Sequence, residues 1–259
     1  MKDPMQTAEL TCSIEQAATT IAENWNRVRD EIAQAARDAS RVPDEVRIVG
    51  VTKYVNAEIT SLIVDAGCHA LGENRPQMMT QKTQWFTEHR PDVADQITWH
   101  QIGHLQRNKV RRLLASHPMI HSVDSERLLV EIDAEALRQS VSIDVLMEIN
   151  VSEESAKTGL PANELAGILD RFESREREAS GVHGVRIIGL MAMAGWGTEP
   201  DQARPQFARL RELRDEMRSK TELELPELSM GMSGDYEAAI AEGATTVRIG
   251  SSLFQGVLP

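Results

Sequence analysis

Two short segments at opposite ends of the chain hold the residues best suited to chemistry, Val46-Arg-Ile-Val-Gly-Val-Thr-Lys53 and Thr246-Val-Arg-Ile-Gly-Ser-Ser252. The first reads as a buried strand ending on a lysine. An amine held over an apolar strand end loses hydration, which favours the neutral form that attacks an aldehyde. A surface lysine whose stem snorkels past the strand end fits the same residues. The second segment runs a strand into a Gly-Ser-Ser turn behind Arg248. There Gly250 permits close approach of the backbone to a ligand, and the amides and hydroxyls of Ser251 and Ser252 suit a phosphate dianion. Leu228-Ser-Met-Gly-Met-Ser233 ends a neighbouring strand and offers the Ser229 hydroxyl to the same cradle. A guanidinium only donates hydrogen bonds, so Arg248 facing a pyridine nitrogen would keep that nitrogen an unprotonated acceptor; a salt bridge to a nearby carboxylate is the plainer role. An amine, an anion cradle and a fixed cation together suit pyridoxal 5'-phosphate (PLP).

These groups meet only if the intervening chain folds both strands to one end of a parallel sheet. Short β-rich runs occur at 46–53, 69–73, 98–103, 119–123, 144–150, 185–192, 227–232 and 245–249. Between them, segments 56–66, 76–90, 105–116, 125–139, 161–177, 200–220 and 234–242 carry helix formers at 3.6-residue periodicity, and a further helix at 14–38 precedes the first strand. Alternating strands and helices predict a parallel sheet covered by helices, and this many units predict closure into a single (β/α)8 TIM barrel over residues 1–259, with residues 1–13 as a flexible extension. Barrel chemistry sits at strand C-terminal ends. Here those ends carry Lys53, Glu73-Asn74, Gly103-His104, Asp124-Ser125, Asn150, Met191, Ser229 to Ser233 and Arg248 to Ser251. Turn conformations favour many of the same residue types, so polarity at a strand end is not by itself a site.

Composition narrows the classes. The chain has 40 Asp plus Glu against 28 Lys plus Arg, a net charge of −12, and no long basic stripe, which argues against nucleic acid as a partner. Cys12 and Cys68 form no CxxC pair and no metal-like cluster, so ordinary thiols and no metal are expected. The N-terminus is polar, and no apolar run approaches the ~18 residues that span a bilayer. A cytoplasmic protein without a membrane partner is the expectation.

Six motifs carry a resemblance. Val-Gly-Val-Thr-Lys53, Leu71-Gly-Glu-Asn-Arg75, Trp99-His-Gln-Ile-Gly-His-Leu-Gln-Arg-Asn-Lys-Val-Arg111, Ser122-Val-Asp-Ser125, Leu228-Ser-Met-Gly-Met-Ser233 and Val247-Arg-Ile-Gly-Ser251 resemble the pyridoxal phosphate homeostasis protein family, from about residue 18 to Gly256. The resemblance implies a barrel like the N-terminal domain of alanine racemase, with PLP held as an aldimine on Lys53. By position it implies phosphate contacts from Ser229, Gly250 and Ser251, and Arg248 at the pyridine nitrogen. It sets Asn74 beside the ring or its phenolic oxygen, with Met230 and the backbone near Ile102 and Gly103 walling the pocket. His104 receives no role. Thr52, Tyr54, Asn56 and Ser251 depart from the family's frequent Ser, Thr, Pro and Thr; Ser251 keeps the hydroxyl. Gly195-Trp-Gly-Thr-Glu-Pro200 adds a loop whose Trp196 is placed to cover the entrance.

In alanine racemase a tyrosine from an additional β-domain of the partner subunit supplies the second acid–base group. Here Tyr54 and Tyr236 are the only tyrosines, and no β-domain is expected after the barrel. The resemblance therefore implies no established catalytic residue and no substrate turnover. It implies a monomer that takes part in PLP homeostasis by holding the coenzyme, with PLP-dependent apo-enzymes as recipients. Two rivals remain open: a PLP-dependent racemase or related enzyme, and an aldolase-type barrel using Lys53 on a sugar phosphate without coenzyme.

Overall fold

Apolar, β-branched runs bounded by turn residues become strands buried on both faces, as parallel sheets require. The computed structural model describes residues 8–152, 158–178, 183–195 and 200–259. Its strands are β1 (Arg47–Val51), β2 (Ala70–Glu73), β3 (Thr98–Gln101), β4 (Met119–Val123), β5 (Ile143–Asn150), β6 (Leu160–Pro161), β7 (Val185–Met191), β8 (Glu227–Met232) and β9 (Thr246–Ile249). All pairings are parallel, in the order β4-β3-β2-β1-β9-β8-β7-β5, and a β4–β5 pairing closes the ring. The expected eight-stranded barrel is therefore present. The two-residue β6 was not anticipated; it adds to β5 outside the ring, pairing Leu160 with Ile149.

The helices α1 (Ile14–Asp38), α2 (Ala57–Asp65), α3 (Pro76–His89), α4 (Val110–Leu113), α5 (Glu126–Gln139), α6 (Ala162–Glu178), α7 (Pro200–Lys220) and α8 (Tyr236–Ala241) accompany the sheet. Local chemistry fixes their starts. Ser13 and Gln16 form a capping box on α1, which buries Ala17, Ile21, Trp25, Val28, Ile32 and Ala36 as one face. The Asn56 side chain accepts from the Ile59 amide at 2.9 Å and caps α2, so this departure from the family's frequent proline still serves a helix start. The helix expected over 105–116 is broken into α4 flanked by 3₁₀ turns at 107–109 and 114–116. Gln106 is extended, and Arg107 and Arg111 would repel at i,i+4 in a continuous helix.

Residues 8–13, part of the extension expected to be flexible, are tied to the barrel. The Ala8 amide donates to the Tyr54 carbonyl at 2.7 Å, and the Thr11 amide to the Val257 carbonyl at 3.0 Å. What matters most for chemistry is the β1–β9 register, which pairs Val49 with Arg248 and Gly50 with Ile249 and so sets the two chemical segments side by side.

Candidate functional site

Lys53 follows β1 at the barrel's C-terminal mouth and is half-buried. Among the described residues it makes no hydrogen bond and no ion pair; its ammonium stands 4.9 Å from the centroid of the Tyr54 ring. Tyr54 is 62% exposed and so faces outward beside the lysine. The backbone under Lys53 is held firmly. Thr52 donates its amide to the Gly72 carbonyl at 3.0 Å and its hydroxyl to Glu73 Oε1 at 2.7 Å. The fully buried Lys82 reaches the same carboxylate at 2.5 Å and the Thr52 carbonyl at 2.8 Å. Burial pushes the Lys82 ammonium below its usual range, against the pull of Glu73.

Arg248 is buried inside the barrel, and among the described residues no carboxylate pairs with it, so the salt-bridge alternative is not what this fold builds. Its Nη1 donates to the Ser229 carbonyl at 2.8 Å and to Ser229 Oγ at 2.6 Å, and Nη2 donates to the Ala192 carbonyl at 3.0 Å. Burial lowers the guanidinium pKa to about 10, opposed by the charges of Asp235 and Glu148, and leaves it a cation at neutral pH. Burial likewise raises Asp235 and Glu148 above the usual carboxylate range. Ser229 was expected at the phosphate. Its hydroxyl instead lies wholly buried between Arg248 and His121 Nδ1, 2.9 Å away. The serine that reaches the turn after β9 is Ser233, whose hydroxyl accepts from the Gly250 amide at 3.3 Å.

That contact joins the loops after β8 and β9. The turn Ser251–Leu253 closes through the Leu253 amide on the Gly250 carbonyl at 3.0 Å, and among the described residues the amides of Ser251 and Ser252 have no acceptor. Ser251 is exposed. A Cβ on Gly250 would come within 3.3 Å of Val51 Cβ, whereas one on Gly234 would meet nothing within 4 Å, so the cradle is tight beneath and open above. Open amides, an unpaired buried cation and a partner-free amine fit the phosphate, ring nitrogen and aldehyde of PLP respectively.

The remaining expected residues fall around this set. Asn74 ends β2 half-buried, with no partner for its side-chain amide among the described residues. It lies so close to Gly103 that a Cβ there would fall 2.6 Å from the Asn74 Cβ and carbonyl oxygen, which is why the chain needs glycine at that point. Met230 is wholly buried in the core. His104, 59% exposed at its side chain, pairs with Asp124 at 2.9 Å. Trp196 lies outside the described residues. A separate cavity of about 630 Å³ opens at the opposite end of the barrel around Arg47, His100, Asp144 and Glu227.

Three partners escaped the sequence reading, Lys82, His100 and His121, and Glu73 was read only as a polar strand end. Each is charged or polar yet buried. For the two histidines the signal was polar residues inside otherwise apolar strands, as in Trp99-His-Gln and Ile120-His-Ser, but the pairing is visible only in three dimensions.

The sequence matches the model of the alanine racemase N-terminal domain over residues 18–257. It is 36% identical to the pyridoxal phosphate homeostasis protein of Aquifex aeolicus, over 90% of this chain and 96% of that one. An unknown protein from Bifidobacterium adolescentis has a similar crystal structure, with a TM-score of 0.84 and 32% identity over 96% of this chain and all of that one. PipY of Synechococcus elongatus, determined with PLP bound, has a TM-score of 0.76 and 31% identity over 90% of this chain and 99% of that one.

Proposed function

The chain belongs to the pyridoxal phosphate homeostasis protein family, built on the alanine racemase N-terminal-domain barrel, and from that membership we propose that it binds PLP at the barrel mouth and serves homeostasis of the coenzyme inside the cell. The observation that carries this reading is the pairing of β1 with β9, which brings to one barrel a lysine and a buried arginine that, among the described residues, have no hydrogen-bonded or ion-paired carboxylate. When bound, PLP supplies a reactive aldehyde, a pyridine ring and a phosphate handle. Lys53 provides the amine that condenses with the aldehyde, and Arg248 faces the ring nitrogen. Gly250, Ser251 and Ser252 form the phosphate cradle with Ser233, and Asn74 lies beside the ring. Met230 and Ser229 support the pocket from within the barrel.

Holding, rather than turnover, is the activity that these residues favour. Proton transfer on both faces of an amino acid's α-carbon needs a second acid–base group opposite the lysine. Tyr54 faces outward next to Lys53. Tyr236, on α8, lies 3.4 Å from Glu31 Oε2, and burial with that carboxylate pushes its phenol up to about 12. Neither serves. Racemisation of alanine by the PLP-loaded protein is expected to stay well under ~1 s⁻¹, the low end of ordinary enzyme turnover; a faster rate would make it an enzyme. Recipients are PLP-dependent apo-enzymes, and the carrier acts as a monomer. Sedimentation of the loaded protein as a dimer would rule out the monomer.

The central test is spectroscopic. Purified protein mixed with PLP becomes yellow, borohydride fixes the coenzyme to the peptide containing Lys53, and Lys53→Ala loses both. An unchanged spectrum in that variant removes Lys53 from this role.

A further inference from the structure

Among the described residues no carboxylate pairs with Arg248, and a buried cation costs several kcal/mol unless fixed dipoles replace the lost water. Two carbonyls and the Ser229 hydroxyl contact it directly. Behind that hydroxyl the polar chain continues. Ser229 Oγ lies 2.9 Å from His121 Nδ1, and His121 Nε2 lies 2.9 Å from His100 Nδ1. The string crosses the barrel from β9 through β8 and β4 to β3, and each of its members is at least nine-tenths buried.

Counting protons fixes its direction. Burial holds both imidazoles neutral at ordinary pH: it brings His100 down to about 3, with the charge of Arg47 adding to it, and takes His121 well below its usual value, with His100, Arg248 and Arg47 adding to it. Each ring therefore carries one proton. Suppose Ser229 accepts from Arg248 and donates to His121 Nδ1. Then His121 donates from Nε2 to His100 Nδ1, and a single atom is left without a partner, His100 Nε2. That atom is indeed buried and unpartnered among the described residues. With the protons reversed, His100 Nε2 is still unpaired and the Ser229 hydroxyl proton also has no acceptor. That arrangement leaves two buried groups unpaired, the lone pair of His100 Nε2 and the Ser229 hydroxyl proton, against one in the first, and the extra buried group costs about 1–3 kcal/mol. The first arrangement also turns the lone-pair end of every dipole toward the guanidinium.

We propose that His121 and His100 are positioning residues for the coenzyme: both protonated on Nε2, they turn the Ser229 hydroxyl so that its lone pair holds Arg248 aimed at the ring nitrogen, with no carboxylate hydrogen-bonded to it among the described residues. The part concerning the coenzyme rests on the PLP reading above; the tautomers do not.

Long-range ¹H–¹⁵N correlation spectra of histidine-labelled protein, free and PLP-loaded, test the tautomers in the unaltered chain. The expected result is a proton on Nε2 of both rings; a proton on Nδ1 of either overturns the proposal. In His121→Phe, PLP binding is expected to weaken about tenfold, in line with loss of one buried hydrogen bond. The visible absorption maximum shifts as well, while borohydride still fixes the coenzyme to Lys53. His121→Asn, which keeps an acceptor in place of Nδ1, recovers part of both. Unchanged affinity and spectrum in His121→Phe overturn the proposal, and if that variant does not fold the tautomers decide alone. Should the unaltered protein fail to take up PLP, the functional reading falls, while the spectra of the free protein still judge the histidine string.

Discussion

A lysine that captures an aldehyde has to be free of competing partners, and a cation that faces a pyridine nitrogen has to be free of a carboxylate. Lys53 and Arg248 meet these conditions for different reasons. Lys53 stands at the mouth beside the Tyr54 ring and, among the described residues, makes no hydrogen bond or ion pair. Arg248 is satisfied from within by carbonyls and a hydroxyl, and stays charged although burial lowers its pKa to about 10. Replacing the donor with an acid reverses what the ring nitrogen meets, so Arg248→Glu is expected to shift the visible spectrum and weaken PLP retention. Equal retention and an identical spectrum would show that Arg248 does not face the ring. Lys53, Arg248, Gly250 and Ser251 entered the candidate site from the sequence because an amine, a guanidinium and a Gly-Ser turn suggest their chemistry by type. Ser229 was legible as a polar residue at a strand end, but its contacts with Arg248 and His121 were not. Whether a strand hydroxyl faces the cradle or the barrel interior depends on the irregular β8–β9 register between Ser229 and Met232, which no local pattern reveals.

Among the elements, the end of β1 is held in place by β2 and α3. Glu73 on β2 and Lys82 on α3 are both essentially inaccessible, and together they hold the hydroxyl and carbonyl of Thr52, the residue before Lys53. Removing one member leaves an uncompensated buried charge, whereas neutralising both removes the desolvation cost along with the attraction. Lys82→Met is therefore expected to destabilise the fold by about 3–5 kcal/mol in urea titrations, and adding Glu73→Gln to restore most of that loss. A double variant as unstable as Lys82→Met would mean that the pair acts through something other than charge compensation. The strands and most helices were legible because apolar runs end at turn residues and helix formers recur at 3.6-residue spacing between them. Segment 105–116 was not, since its periodicity suggests one helix while Gln106 and the arginines break it.

Across the whole molecule, closing eight strands into a ring creates an interior that has to accept polar groups from several of them at once, and this interior has a consequence for acid stability. His100 titrates at about 3 in the fold and near 6.5 when unfolded, with burial as the main cause. His121 is lowered as well. As pH falls below about 6.5 the unfolded chain takes up protons that the folded chain refuses. The stability contributed by these histidines is thus complete above that value and is lost progressively toward pH 3. Glu148 and Asp235, whose pKa values are raised, work in the opposite sense, because in the same range the fold takes up their protons first. A variant comparison separates the two. The urea midpoint followed by tryptophan fluorescence is expected to fall between pH 7 and pH 4.5. In His100→Leu the free energy should fall less steeply, by up to about 1.4 kcal/mol per pH unit, the slope of one proton. Parallel curves for the two proteins would mean that His100 is protonated as readily inside the barrel as outside it, and a charged imidazole beside His121 could not belong to the string that holds Arg248.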